Sequence, residues 1–155
     1  MIKETLIALS VLVLLPCVVH GSELLSEEAL NYYNEGVKAQ RMGDFYSAET
    51  SYQKTMIIDK SSKCKKSIFN NMGLMNLKRG EAARAEMAFK EALKLDPEYK
   101  TAASNLALLY LKLALSYKDR GNTIKALENF EKAFAYYPQK DFVIEGEKKA
   151  VDEEN

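Results

Sequence analysis

Proline and glycine are scarce in this 155-residue chain, at three and seven, and tryptophan is missing altogether. Scarce breakers permit long helices and leave few places to end them. Histidine is nearly absent as well. His20 and one of the two cysteines, Cys17, fall in the first 21 residues, so the rest of the chain keeps no histidine and a single cysteine, Cys64. Beyond residue 21 this excludes a Ser-His-Asp or Cys-His nucleophile system, a zinc site built from His with Cys, and an internal disulfide. Gly36, Gly43, Gly73, Gly80 and Gly121 compose neither G-x-G-x-x-G nor G-x-x-x-x-G-K, so no phosphate-cradling loop is written. No Asp/Glu pair is forced together by its spacing, which leaves carboxylate chemistry without a site. Net charge is lacking too: 22 basic residues balance 22 acidic ones, and no global field draws the protein to nucleic acid or a membrane surface. The expectation is a protein that is not an enzyme and holds no metal or cofactor.

The first 21 residues are made of different material. A charged start, Met1-Ile2-Lys3, precedes the apolar run Leu6 to Val19, which contains Pro16 and leaves through Val19-His20-Gly21. Those are the parts of a secretory signal peptide, and the run is shorter than the about 20 apolar residues a membrane span needs. Residues 1–21 are therefore read as a removed signal peptide, residues 22–155 as the mature domain, and the protein as exported, periplasmic or secreted, with no membrane span in the mature chain. An uncleaved anchor and a lipidated Cys17 are the alternatives, although Pro16 stands where a lipoprotein signal has a small residue.

What the rest of the chain has in abundance is a recurring spacing. Counted from Gly43, a small residue lies five on (Ala48), an aromatic nine on (Tyr52) and Thr55 twelve on. Gly80 gives Ala85, Phe89 and Ala92, and Gly121 gives Ala126, Phe130 and Ala133. Seventeen on stand Lys60, Pro97 and Pro138. Small and aromatic residues so spaced share one helical face, where the small ones admit a neighbouring helix and the ring fills the space beside it. Ahead of each glycine lies a second helix with its own pattern: Phe69-x-x-Met72-Gly73, Tyr110-x-x-Leu113-Ala114 and, more weakly, Tyr32-x-x-Glu35-Gly36.

This pattern resembles the tetratricopeptide repeat, a helix-turn-helix unit of about 34 residues. The resemblance covers residues 29 to 140 and implies an all-α fold of about three repeats, 29–62, 66–99 and 100–140, in a short right-handed superhelix. Residues 141–151, with Phe142, Val143, Ile144 and Ala150, are the expected C-terminal capping helix. A non-repeat helical bundle is the alternative architecture. The resemblance further implies a protein-binding adaptor or assembly subunit whose first helices line a concave groove. Carried over, the groove positions are Tyr33, Val37 and Gln40 in the first repeat, Asn70, Leu74 and Leu77 in the second, and Ser104, Leu108 and Leu111 in the third. This mostly apolar lining implies an apolar or amphipathic protein segment as partner. The family's carboxylate-gripping version is matched only at Asn71, since Tyr33 and Val37 stand where its lysine and asparagine would sit. A self-associating subunit, with the groove buried against a second copy, is the competing reading.

The repeats are unevenly spaced. Gly43 to Gly80 is 37 residues, and the surplus is expected in the turn Lys60 to Lys65. Gly80 to Gly121 is 41, and the echo of Leu106-Ala107-x-x-Tyr110 in Leu113-Ala114-x-x-Tyr117 places that surplus inside a helix. Seven residues make two turns with only about 20° of drift, so the same face stays inward. The helix is expected from Glu98 to Arg120, about 35 Å long. Cys64, ringed by Lys60, Lys63, Lys65 and Lys66, is expected to be an exposed thiol.

Overall fold

Short polar side chains and left-handed glycines set the helix boundaries. A computed structural model of the chain describes residues 25–136, which form six helices: α1 (Glu27–Met42), α2 (Phe45–Ile58), α3 (Ser62–Arg79), α4 (Ala82–Leu95), α5 (Lys100–Asp119) and α6 (Thr123–Tyr136). The expected signal peptide, 1–21, and the expected capping helix, 141–151, lie outside the described residues. Ser26 starts α1 by accepting a hydrogen bond from the Ala29 N–H at 3.2 Å, with Glu27 and Glu28 favourably placed against the positive helix end. α1, α3 and α5 end at Gly43, Gly80 and Gly121, whose φ of 81°, 78° and 75° is a backbone region glycine enters without cost. The residue after each glycine starts the second helix of its pair. Asp44 accepts from the Ser47 N–H and Asn122 from the Lys125 N–H, both at 3.1 Å. Glu81 holds the same place and makes no such cap; its longer side chain instead accepts from the Arg84 guanidinium in the first turn. Glu81→Asp is therefore expected to stabilise the protein by about 0.5–1 kcal/mol, read as a higher urea midpoint at unchanged slope.

Two aspartates close the turns between repeats. Asp59 accepts from the Ser61 N–H at 2.9 Å and Asp96 from the Glu98 N–H at 3.1 Å, each sixteen residues after its turn glycine. Asp96 also pairs with Lys66 of α3, which holds its carboxyl below the ordinary carboxylate range.

Each helix packs chiefly on its repeat mate, α1 with α2, α3 with α4 and α5 with α6, and then α4 on α5. The close approach of mates rests on missing atoms. A Cβ on Gly36 would lie 2.7 Å from the Tyr52 ring, and one on Gly73 would lie 2.6 Å from Cδ1 and 2.8 Å from Cζ of Phe89. Two apolar clusters follow, as a repeat array requires. One gathers Tyr33, Ala48, Tyr52, Cys64, Ile68 and Met75 from the first three helices. The other gathers Leu74, Ala85, Phe89, Leu106, Leu109, Tyr110 and Ala133 from the last four.

Three expectations are corrected here. The three surplus residues between repeats one and two extend α3, which begins at Ser62: no glycine or proline interrupts them, and Cys64, Ile68, Asn71 and Met75 continue one buried face at 4-3-4 spacing. Cys64 is accordingly buried in the first cluster instead of exposed. α5 is 20 residues, about 30 Å, because the turn built on Asp96 occupies Pro97, Glu98 and Tyr99. It outruns α3 by two residues and α1 by four.

Candidate functional site

The nine groove positions separate by burial. Tyr33, Gln40 and Asn70 are buried, and Leu74 belongs to the second core cluster. Val37 and Leu77 are partly buried at the edges of the two clusters. Ser104, Leu108 and Leu111 are exposed on α5.

The buried polar positions hold one another. The Tyr52 hydroxyl donates to Gln40 Oε1 at 2.6 Å, Asn71 Nδ2 donates to the Tyr52 and Tyr33 hydroxyl oxygens at 3.3 and 3.4 Å, and Gln40 Nε2 donates to the Asn71 carbonyl at 3.4 Å. The network ties α1, α2 and α3 together, and burial pushes the Tyr52 phenol upward so that it stays neutral. Asn71, the one match to a carboxylate-gripping asparagine, thus faces inward. Asn70 is also engaged, accepting from Asn105 Nδ2 of α5 at 2.8 Å. Leu74 had looked like a surface leucine on the carried-over pattern. It packs with Phe89, Leu106 and Leu109 because α5 closes over that side of α3.

The exposed positions make a surface of a different kind. Ser104, Leu108, Leu111 and Leu115 follow one another at 4-3-4 spacing along the side of α5 opposite its buried residues Ala102, Leu106, Leu109 and Tyr110. The three leucines are 43%, 39% and 44% exposed, and Lys100, Lys112 and Lys118 stand exposed beside them. Leu115 was not among the carried-over positions. The 4-3-4 spacing would have found it, had the repeat register not drawn attention to the inward row Leu106, Tyr110 and Leu113.

On the opposite, buried side of the helix, Glu86 of α4 couples to α5. Its Oε1 accepts from the Tyr110 hydroxyl at 2.8 Å and from Lys90 Nζ at 2.5 Å. Burial would raise the Glu86 carboxyl, but the bonds from Lys90 and Tyr110 outweigh it and hold the group below its ordinary value of 4.5. Tyr110 is pushed up to about 12 by burial and by the carboxylate it faces. A lowered carboxylate stabilises the fold above its unfolded value and loses that contribution as pH falls through the lower folded value. Glu86→Gln is therefore expected to flatten the acid limb of thermal stability below about pH 4.5, with a difference under about 1 kcal/mol because the pair is partly exposed.

Among the described residues no group of three or more His, Cys, Asp and Glu is placed to hold a metal ion, and no helix is long and apolar enough to cross a membrane. The surface hollows beside Glu27, Leu30 and Asn34 and at the Gly121–Ile124 turn are open and bring no catalytic set together.

Comparison with known proteins agrees with the repeat geometry. The tetratricopeptide repeat family pattern matches residues 67–99 and 107–140, so these two stretches are tetratricopeptide repeats. The second match starts seven residues inside α5, which leaves the first two turns of that helix outside the unit. The chain is similar to proteins named photosystem I assembly protein Ycf3: 27% identical over 114 residues in Synechococcus elongatus and in Cyanophora paradoxa, covering 74% of this chain and 66% of each relative. The protein of that name from Prochlorococcus marinus is 27% identical over 119 residues, covering 72% of this chain and 69% of its own. The name of these relatives is that of an assembly protein, and the chain spans about two thirds of their length.

Proposed function

We propose that this chain is an exported, non-catalytic assembly subunit that takes an amphipathic helix of a protein partner against the outer face of α5. The observation that carries this reading is the row Ser104, Leu108, Leu111 and Leu115, an apolar seam of heptad spacing on the solvent side of an otherwise well-packed helix. Lys100, Lys112 and Lys118 flank it, so the partner helix carries acidic residues beside its own apolar row. The relatives' name, an assembly protein, supports the class of role. The leader-like residues 1–21 support the extracytoplasmic address; N-terminal sequencing that returned Met1, or a lipid on Cys17, would sink it.

The test of the site is Leu111→Asp with Leu115→Asp. Both side chains are exposed, so helix content is expected to survive, while loss of two apolar contacts of about 1.5–3 kcal/mol each weakens partner capture by more than about a hundredfold. Capture by the wild type is expected to weaken in part as salt screens the flanking lysines, and to persist at high salt through the apolar row. A folded double variant that still captures the partner removes the seam from consideration. Self-association is the second reading, and a mass by light scattering that doubles with concentration and falls back in the double variant would favour it.

A further inference from the structure

The chain as a whole balances its charges, but not from one edge of the array to the other. The turns that join repeat mates, with the helix ends on either side, span residues 40–47, 77–84 and 117–125 and carry seven bases against three acids. The opposite ends of the same helices, residues 26–30, 58–66 and 95–101, carry five of each. Packing sets the three mate turns side by side. Arg79 meets Glu49 at 3.7 Å and lies 5.1 Å from the centre of the Phe45 ring, and Leu77 and Ala82 pack in the second cluster with Leu113. Two of the acids on this edge are already engaged: Asp44 caps α2, and Glu81 pairs with Arg84 at 3.2 Å. Arg41, Lys78 and Arg120 stand exposed and make no ion pair among the described residues. Helix dipoles account for bases at the ends of α1, α3 and α5. They do not account for Lys125, exposed in the first turn of α6, where a dipole favours an acid.

The same edge holds the three most exposed large apolar side chains among the described residues, Tyr46 at 80%, Met42 at 76% and Ile124 at 75%. Tyr46 and Ile124 each stand three residues after a turn glycine, and Met42 stands one before. We propose that this edge docks on an anionic lipid surface, with the three apolar side chains entering the headgroup layer and Arg41, Lys78, Arg120 and Lys125 meeting its phosphates. The arrangement fits a bilayer better than a protein. Met42 and Tyr46 flank the first mate turn and Ile124 the third, with Ala82 and Ala83 of the second between them, so they do not close into the single apolar centre of a protein interface. A fluid interface takes in protruding apolar side chains at any spacing, and long basic side chains beside them reach its charged layer. None of the side chains assigned to lipid belongs to the α5 seam, so the two sites are tested separately.

The test reads the edge itself, in the full chain with Cys17→Ser. Met42→Cys, Ile124→Cys and, at the opposite edge, Ile57→Cys, itself an exposed position, are each labelled with the polarity-sensitive fluorophore NBD; Cys64 is buried and leaves the label to the new thiol. With vesicles of phosphatidylcholine and phosphatidylglycerol at low salt, NBD at 42 and 124 is expected to shift to the blue and brighten at least twofold. NBD at 57 is expected to stay unchanged, whatever part residues 1–21 take in reaching the vesicle. Arg41→Gln, Lys78→Gln, Arg120→Gln and Lys125→Gln together are expected to raise the lipid concentration at half change at least tenfold, with helix content unchanged. No response at 42 and 124, an equal response at 57, an equal response to phosphatidylcholine alone, or a four-glutamine variant that responds like the wild type would each overturn the proposal. A response to soluble polyglutamate that vesicles do not give would overturn it in favour of an acidic protein.

Discussion

Phe89→Ala is expected to remove about 3–5 kcal/mol, a large part of what a domain of this size has to lose. Phe89 is fully buried, and one edge of its ring lies against the backbone of α3 at Gly73, where no side chain intervenes. Truncation would leave a cavity bordered by α3, α4 and α5, which well-packed helices close only in part. Gly73→Ala approaches the same joint from the other side. Alanine is favoured over glycine in a helix by about 1 kcal/mol, yet the added Cβ falls inside contact distance of three ring atoms, and overpacking of this kind costs about 1–3 kcal/mol. The ring has no free end to swing away, so the net sign is destabilising. Because the two changes act on one contact, Gly73→Ala with Phe89→Leu is expected to lose less than the sum of the two single changes. Urea titrations of the four proteins would read the cycle; strict additivity would mean that ring and glycine do not determine each other.

The repeat was legible because its signal is local and periodic. A glycine that ends one helix, and an alanine and an aromatic at fixed distances in the next, impose the pairing wherever they occur, and all six helices follow from them. Asp59 and Asp96 both stand sixteen after a turn glycine yet drew no expectation, because their role appears only when the side chain is seen folded back on the turn. The groove was less legible for a physical reason. Carrying positions over assumes that the first helices are equally spaced and equally covered, whereas α3 and α5 both start ahead of their repeat units. That extra length lets α5 bury Asn70 and Leu74 and leaves its own leucines outside. Spacing within one helix tells which residues share a face. It does not tell which face the neighbour takes when the neighbour is longer than the pattern.

Asn71→Asp is expected to cost about 3–5 kcal/mol at neutral pH and distinctly less near pH 4. Asn71 is buried, and its amide donates to two phenol oxygens. A carboxylate of the same size cannot donate, and it brings a charge into a site whose neighbours, Tyr33, Tyr52 and Gln40, carry none. Burial then raises the folded-state value of the new acid above the unfolded one, near 3.9. A raised value contributes stability below the unfolded value and loses it as pH rises, so the variant weakens progressively from about pH 4 upward. Asn71→Leu separates geometry from charge: it removes the two donated bonds without adding an anion, and is expected to cost about 1–3 kcal/mol with no such slope. Thermal unfolding of the three proteins from pH 4 to pH 8 reads both quantities. A flat profile for Asn71→Asp would show that water reaches the site and that the α1, α2 and α3 helices are not joined through a dry network. That outcome would also reopen the first-repeat positions Tyr33 and Gln40 to a partner, which their burial now withholds.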